Sequence, residues 1–492
     1  MTRALGALAG FVDDRLNPIV VKELRQAVQG RFVAAVLLLF LLFELGTLTV
    51  FLLTIEPAGV DWTAGGSRGR EVFAFILGFL LFVTVVTLPA YAAVRVFVEQ
   101  AGDSLSLVFV TTLPPGRIVA GKLLAAQLLA LVLFSACLPF VSFTYFLRGI
   151  DLPSILVVFG FGFVVVTTAV QAAILLACLP ASRFLKVMLG IGGLAGLVVV
   201  FSVTVTVGME LVSAGVGSRL GTRDFWIPAG VFLGIAGFLV TLGYLASVAL
   251  VSPAVANRAP PVRSFLSLTW LVSGVLVAYE ARRSASDDEL GVWTVTWAAV
   301  AVAACVVAVG ARDEMSRRVA QEVPRPRWRR VPAFFLWSGS ANGVAWAAAL
   351  AILTVAAGAA VAARTAAPNV DDWLFPATGL AGYGFAYSTS ALLLHRRFLA
   401  RRVHRRYTWV LALALAAAGS VLPPIAGFLV LGDFARSSDA RAWMILNPFA
   451  PSFAEIGTSA AWLGLTWAGA MAALAAPWFL RQVRAFAPPE SS

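Results

Sequence analysis

The sequence predicts an all-α polytopic membrane protein with about twelve transmembrane helices. Of its 492 residues, 60% are hydrophobic and 13% are charged, and the mean hydropathy is +0.89. Soluble domains contain about 25% charged residues. Apolar stretches of the roughly 20 residues that cross a bilayer recur along the chain. They lie near 32–55, 71–94, 118–147, 154–179, 184–207, 226–251, 265–281, 291–309, 343–364, 374–394, 407–431 and 456–479.

The distribution of positive charge predicts the orientation of these spans. If the spans alternate, the loops on the side of the N-terminus carry 27 of the 37 Lys and Arg residues, and the opposite loops carry 10. Lys and Arg are enriched in cytoplasmic loops. We therefore expect both termini in the cytoplasm and a multi-pass location in the cell (inner, cytoplasmic) membrane.

The N-terminal region 1–31 predicts an amphipathic elbow helix before the first span. Asn17 and Pro18 supply an N-cap and a first-turn proline. At about 100° per residue, most apolar side chains fall on one arc, whereas Lys22, Glu23 and Arg25 fall on the other. Such a helix lies in the membrane surface. We expect it to bend into the first span at Gly30; an ordinary solvated cytoplasmic helix is the alternative.

Segment 99–122, between the second and third spans, is unusually apolar for a short cytoplasmic loop. Leu105, Leu107 and Phe109 stand between Asp103 and the turn at Pro114. Apolar surface rimmed by charge is typical of a binding site for a partner protein. The segment therefore predicts docking of a soluble subunit; lying along the lipid headgroups is the alternative.

Motifs for catalysis or nucleotide binding are weak in this sequence. The string from Gly116 to Leu123 fits part of a phosphate-binding loop, but Leu123 stands where a magnesium-binding Ser or Thr is needed. His395 and His404 cannot form a zinc site alone, and the three cysteines have no paired spacing. We expect no enzymatic activity, no metal and no cofactor in this chain.

Among the polar residues inside the predicted spans, two are singled out. Glu44 lies near the middle of the first span, and Gln171 lies in the fourth. A charge at membrane depth costs at least about 2.5 kcal/mol and usually faces inward. Glu44 is therefore expected to face a pathway or a cation, or to be a buried neutral carboxyl, and Gln171 to join helices.

The chain divides near its middle. The predicted first membrane region, 32–251, leads through a Pro- and Arg-rich linker, 252–264, to a second region, 265–480, and a tail, 481–492. Basic runs at Arg325–Arg330 and His395–Arg406 favour anionic lipid headgroups over nucleic acid as their partner.

Two motifs resemble the membrane subunits (permeases) of type-2 ATP-binding-cassette exporters. The stretch from Asn17 to Gln26 is similar to the family's elbow helix. Segment 99–122 is similar to its coupling loop, through residues shared with that signature: Glu99, Leu105, Leu107, Thr112, Pro114, Pro115, Gly121 and Lys122. The resemblance covers spans one to three directly, and six spans are usual in the family, so spans seven to twelve exceed it.

The resemblance implies a permease that exports a hydrophobic or amphipathic substrate. A separate ATPase subunit would bind ATP and magnesium and dock on the coupling loop, and a homodimer or a heterodimer would agree with such an arrangement. Two other classes stay open: a non-transporting scaffold or sensor subunit, and a membrane enzyme for lipid-linked substrates. For the enzyme, the candidate carboxylates stand in two separate outer loops: Asp371, Asp372, Asp433 and Asp439.

Overall fold

In the part of the chain that the computed structural model describes, the regular elements are all helical. The structure describes residues 18–54, 65–101, 114–146, 150–180, 182–253, 255–283, 288–365, 369–432, 442–452 and 456–488. The described chain falls into two compact units, Met1–Ser252 and Pro253–Ser492. The division coincides with the start of the predicted linker.

Unit 1 consists of long helices and two short irregular helical turns. In chain order these are α1 (Pro18–Gln29), α2 (Arg31–Thr54), α3 (Gly65–Leu81), a π-helical turn (Phe82–Thr87), α4 (Leu88–Ala101), α5 (Pro115–Phe146), α6 (Leu152–Cys178), α7 (Arg183–Ala214), a 3₁₀ turn (Val216–Ser218) and α8 (Arg223–Val251).

Helix α6 lies at the centre of unit 1, where it packs against α4, α5, α7 and α8. The π-helical turn joins α3 to α4 and is wider than a regular α-helical turn. Its residues Val83 and Val85 are buried. Pro89 lies two residues after the end of this turn and cannot donate a backbone hydrogen bond. This missing donor gives a physical reason for the wider turn at this position.

The connection between α7 and α8 is a compact turn, in which Gly215 has a left-handed backbone conformation and the 3₁₀ turn Val216–Ser218 follows it. Asp151 fixes this turn. Its carboxylate accepts hydrogen bonds from the backbone N–H of Ser154 (3.2 Å) and of Gly217 (3.0 Å). Burial acts to raise the pKa of Asp151, but these hydrogen bonds and that of the Ser154 hydroxyl outweigh it and lower the pKa below its usual range.

Unit 2 contains both long and short helices. In chain order these are α9 (Pro260–Ala281), α10 (Asp288–Val309), α11 (Arg317–Gln321), α12 (Arg327–Leu336), α13 (Ser340–Thr365), α14 (Val370–Leu394), a π-helical turn (His395–Leu399), a 3₁₀ turn (Arg405–Tyr407), α15 (Thr408–Leu431), a 3₁₀ turn (Ala450–Ser452) and α16 (Gly457–Ala485).

Helix α14 is the central element of unit 2, and it packs against α10, α13, α15 and α16. Its approach to α16 is close: a Cβ atom added to Gly382 would lie 2.7 Å from the backbone of Gly464. Small residues permit such close packing of membrane helices. Tyr383 and Tyr387 of α14 donate hydrogen bonds to the backbone carbonyls of Ile445 and Leu446.

Within the described ranges, eleven helices are long and apolar enough to cross a membrane. This confirms the all-α polytopic class. The predicted tenth span corresponds to α14, which has 25 residues but does not reach the hydropathy of a candidate span. Glycine, serine, threonine and tyrosine lower its hydropathy. A helix surrounded by protein needs less apolar surface than one that faces lipid.

Candidate functional site: a charge cluster beside segment 102–113

Five charged side chains from three helices meet at one end of unit 1. We call Lys22, Glu23, Arg95, Glu99 and Lys122 the charge cluster. Lys122 Nζ lies 2.7 Å from Glu23 Oε1 and 2.6 Å from Glu99 Oε2. Arg95 Nη2 lies 3.0 Å from Glu23 Oε2, and Lys22 Nζ lies 3.7 Å from Glu99 Oε1. The cluster thus joins α1, α4 and α5.

Lys122 and Glu23 form the least exposed pair of the cluster. Their side chains are 12% and 7% exposed. Breaking such a pair by removing one partner leaves an uncompensated charge away from water, which costs about 3–5 kcal/mol in buried pairs. The contact therefore ties the N-terminal helix α1 firmly to α5.

The position of Glu23 corrects the sequence interpretation of α1. We expected Glu23 on the polar, outward arc with Lys22 and Arg25, but Glu23 is buried together with Val20 and Ala27. Glu23 lies three positions after Val20 and four before Ala27, so the three residues share one face of the helix. Hydropathy alone misplaces Glu23, because its counter-ions come from α4 and α5 rather than from α1.

The other residues of the predicted elbow helix lie at its start, on its exposed face and at its end. Helix α1 begins at Pro18, whereas Asn17 lies outside the described residues. Arg25 is exposed. The chain bends at Gly30, where an added Cβ would lie 3.1 Å from the carbonyl oxygen of Gln26. The predicted helix and its bend are therefore present, and its position in the membrane surface stays a prediction.

Arg95 has several partners in addition to Glu23. Its guanidinium donates hydrogen bonds to the Tyr91 hydroxyl (3.1 Å) and to the Gln26 side-chain oxygen. Tyr91 in turn stacks on Phe32 of α2, with ring centroids 4.8 Å apart. These contacts connect α4 to both α1 and α2, so the cluster holds the bend between these two helices.

Two members of the charge cluster flank segment 102–113 in the sequence. The segment itself is outside the described residues. Glu99 precedes that segment on α4, and Lys122 follows it on α5. The short contact between the two side chains holds the flanks of the segment together. Four of the predicted docking residues fall within the segment and so outside the described part of the chain: Asp103, Leu105, Leu107 and Phe109.

The residues after the segment begin a regular helix. Pro114 is exposed, its carbonyl accepts a hydrogen bond from the N–H of Arg117 (2.9 Å), and Gly121 is buried in α5. The whole string Gly116–Leu123 is helical. Backbone N–H groups inside a helix are bonded to its carbonyls, so this string does not form a phosphate-binding loop.

Two small cavities lie beside the charge cluster. One has a volume of about 30 Å³ and is lined by Glu23, Arg95 and Lys122 together with apolar residues. A cavity needs about 10–15 Å³ to hold a water molecule. The second, of about 50 Å³, is almost wholly apolar, and both cavities are lined by Leu88, Tyr91 and Leu129. The space is too small to hold a sizeable substrate.

The two intramembrane polar residues differ in their partners. Glu44 is fully buried, and its two carboxylate oxygens have no hydrogen-bond partner in the part of the chain that the structure describes. Gln171 is also buried, and its amide nitrogen lies 3.2 Å from the Ser247 hydroxyl of α8. That contact links α6 to α8, which is the geometry that a role in joining helices requires.

Other candidate groups lie apart from the cluster. The three cysteines are free and buried. Among the described residues, no group of three or more His, Cys, Asp or Glu side chains could hold a metal ion. Asp371 and Asp372 lie in the first turn of α14, and Asp433 and Asp439 are outside the described residues. His395 is buried, and its Nε2 lies 2.9 Å from the Val403 carbonyl oxygen.

Sequence reasoning missed a second ionic site, which lies in unit 2. Asp313 accepts hydrogen bonds from Arg396 (2.8 Å) and, through both carboxylate oxygens, from Arg405. The basic run 395–406 gave a weak signal for it, because the carboxylates of Asp313 and Glu314 follow the predicted inner end of the eighth span. A comparison of the chain with models of known protein families, with curated proteins and with solved structures finds no match.

Proposed function

We propose that this chain is the membrane-spanning permease subunit of an ATP-binding-cassette transporter. In this proposal it exports a hydrophobic or amphipathic substrate and is driven by a separate ATPase that docks on segment 102–113. The observation that carries the proposal is the charge cluster, in which Glu99 and Lys122 lie 2.6 Å apart at the two flanks of that segment. A docking segment needs this kind of rigid attachment if its movement is to reach the spans.

The cluster offers a physical route for such a movement. A displacement of segment 102–113 acts directly on α4 and α5, because the segment connects these two helices. The ion pairs of Glu23 with Lys122 and Arg95 carry the displacement to α1. From α1 it reaches α2 through the bend at Gly30. Helices α2, α4 and α5, together with α1, would therefore move together when a partner binds this one short segment.

The sequence of segment 102–113 supports a protein partner. Five of the six residues from Leu105 to Val110 are apolar, and the segment has only one charged residue, Asp103. Interface centres are depleted in charge and enriched in large apolar side chains. In the proposal, Leu105 and Phe109 are the first contacts with the ATPase, whereas the charge cluster transmits the movement without touching it.

The proposal is tested by cross-linking in native membranes. A lysine-reactive cross-linker is applied to cells that express the tagged chain, and captured proteins are identified by mass spectrometry. We expect the intact chain and Leu105→Ile/Phe109→Leu to capture an ATP-binding subunit, and Leu105→Asp/Phe109→Asp to lose it. Capture of no ATPase by the intact chain, or equal capture by the aspartate variant, would contradict the proposal.

A second variant separates docking from transmission. Lys122→Gln leaves segment 102–113 unchanged but removes the contact between its flanks. Because Lys122 is one of the three lysines with which the cross-linker can react, binding is measured for this variant by co-purification without cross-linker. We expect it to co-purify with the ATPase as well as the intact chain does, yet to lose most of the ATP hydrolysis that the intact chain stimulates in a co-reconstituted partner. Unchanged stimulated hydrolysis would show that the cluster is only a structural contact.

A further inference from the structure

Helix α12 has one face held by unit 2 and one face uncovered. Phe334 is buried, with its ring centroid 5.9 Å from that of Phe479 and 5.4 Å from that of Phe486. On the other face, Trp328 is 71% exposed and Val331 is 62% exposed. At about 100° per residue, these two side chains lie on a single arc. Helix α12 therefore presents apolar side chains outward although it is firmly anchored.

Arginines flank this uncovered apolar arc. Arg325, Arg327 and Arg329 are exposed, and the Arg329 guanidinium lies 4.7 Å from the centre of the Trp328 ring. Arg330 is different, because it donates hydrogen bonds to the carbonyls of Pro324 and Arg325 at the start of the helix. Three arginines are thus directed away from the protein, and the fourth stabilises the helix start.

A second strip of the same character lies between α14 and α15. Phe398 is 70% exposed. Around it are four exposed arginines: Arg397, Arg401, Arg402 and Arg406. Arg396 and Arg405 of the same connection instead bind Asp313. The connection therefore divides its arginines between one inward ionic contact and an outward basic surface.

The two strips belong to one end of unit 2. The Arg396 guanidinium lies 5.2 Å from the centre of the Trp478 ring, and Trp478 belongs to the same hydrophobic cluster as Phe334. The start of α13, the end of α14 and the end of α16 all meet here. We call the seven exposed arginines with Trp328, Val331 and Phe398 the arginine face.

We propose that the arginine face binds the phosphate-bearing headgroups of anionic bilayer lipids. Guanidinium groups match phosphate oxygens in charge and geometry. Exposed Trp and Phe side chains beside membrane helices are typical of the boundary between headgroups and acyl chains. A nucleic acid would also attract the arginines, but Val331 would then remain uncovered in water. This inference concerns unit 2 and does not depend on the proposed transport function.

The proposal is tested by native mass spectrometry of the full chain in detergent with added phosphatidylglycerol or phosphatidylcholine. We expect the intact chain to bind phosphatidylglycerol more tightly than phosphatidylcholine by about tenfold, as several arginines near a headgroup imply. Either Arg325→Gln/Arg327→Gln/Arg329→Gln or Arg397→Gln/Arg401→Gln/Arg402→Gln should remove most of this preference. The matched control is Arg282→Gln/Arg283→Gln/Arg364→Gln, which removes three exposed arginines from the opposite helix ends.

The proposal is overturned if the intact chain shows no preference, or if the control loses as much preference as the two test variants. It is also overturned if a single-stranded RNA oligonucleotide displaces phosphatidylglycerol from the intact chain. Salt provides a measurement that needs no variant. Between about 0.1 M and about 1 M salt the screening length falls from about 10 Å to about 3 Å, so the preference should largely disappear; a preference that resists salt contradicts the proposal.

Discussion

The charged ends of the two units are built in opposite ways. In unit 1, carboxylates and cations alternate within one cluster, and the central pair of Lys122 and Glu23 is only 12% and 7% exposed. In unit 2, Asp313 pairs with two arginines, whereas the seven arginines of the arginine face are exposed.

This difference separates two uses of the same residue types. Charges that are paired and shielded from water fix the positions of helices, and their loss costs folding free energy. Charges that are exposed and of one sign add little to stability but create a field that attracts opposite charge. We therefore expect substitutions in unit 1 to change stability and those on the arginine face of unit 2 to change binding.

The largest effect is expected for Lys122→Met. This change keeps the length of the side chain but leaves Glu23 and Glu99 without their shared cation, and it should lower the free energy of unfolding by about 3–5 kcal/mol. Thermal unfolding of the chain in detergent measures the loss. Arg25→Gln, an exposed residue on α1, is the control and should change little. If Lys122→Met and Arg25→Gln lowered the free energy of unfolding equally, the shielded pairs of unit 1 would not differ from exposed charges in their contribution to stability.

A smaller loss is expected for Asp313→Asn. Burial lowers the pKa of Arg396, and the carboxylate of Asp313 counteracts that effect. The neutral amide removes the counter-charge of Arg396 and Arg405, so the free energy of unfolding should fall by about 1–3 kcal/mol. The same unfolding assay tests this, with exposed Glu314→Gln as the neighbouring control. A loss as large as that of Lys122→Met would show that both ends are built alike.

Asp151, at the other end of unit 1, should give a pH-dependent effect of about 1 kcal/mol when changed to Ala, as for other helix N-caps. Its pKa is lower in the folded chain than the ordinary value of 3.8. The contribution is therefore present above the unfolded pKa and is lost as the pH falls through the folded pKa. The stability difference between the intact chain and the variant should shrink in acid. Asp224→Asn, in the first turn of α8, is the control, and a difference independent of pH would contradict the assignment.

The smallest effect on stability is expected for Arg397→Gln/Arg401→Gln/Arg402→Gln. These side chains are exposed, and surface substitutions usually stay within about 0.5 kcal/mol. The unfolding temperature should therefore stay near that of the intact chain while lipid preference falls. A clear loss of stability would mean that the exposed arginines, like Arg405, also hold the fold.

The comparison also explains what the sequence could predict. The spans and the bend at Gly30 follow from local patterns of apolar residues and glycine. The burial of Glu23 does not, because a helical wheel contains no information about cations on other helices. The three-helix cluster and the contact of Asp313 with Arg405, 92 positions away, depend on tertiary packing. Likewise, α14 is central in unit 2 although its hydropathy ranks it below the other long helices.

The moderate hydropathy of α14 has a consequence for how the chain is made. During synthesis each hydrophobic segment partitions from the insertion machinery into lipid according to its own free energy. Helix α14 contains Asp371 and Asp372 in its first turn, several glycines and several residues with hydroxyl groups. Its transfer from the insertion machinery into lipid alone is therefore unfavourable compared with that of the other long helices. Its main partner α16 is synthesised after α10, α13 and α15. Helix α14 must therefore remain associated with α10 and α13 until α16 has been synthesised, which makes the assembly of unit 2 cooperative and dependent on α16.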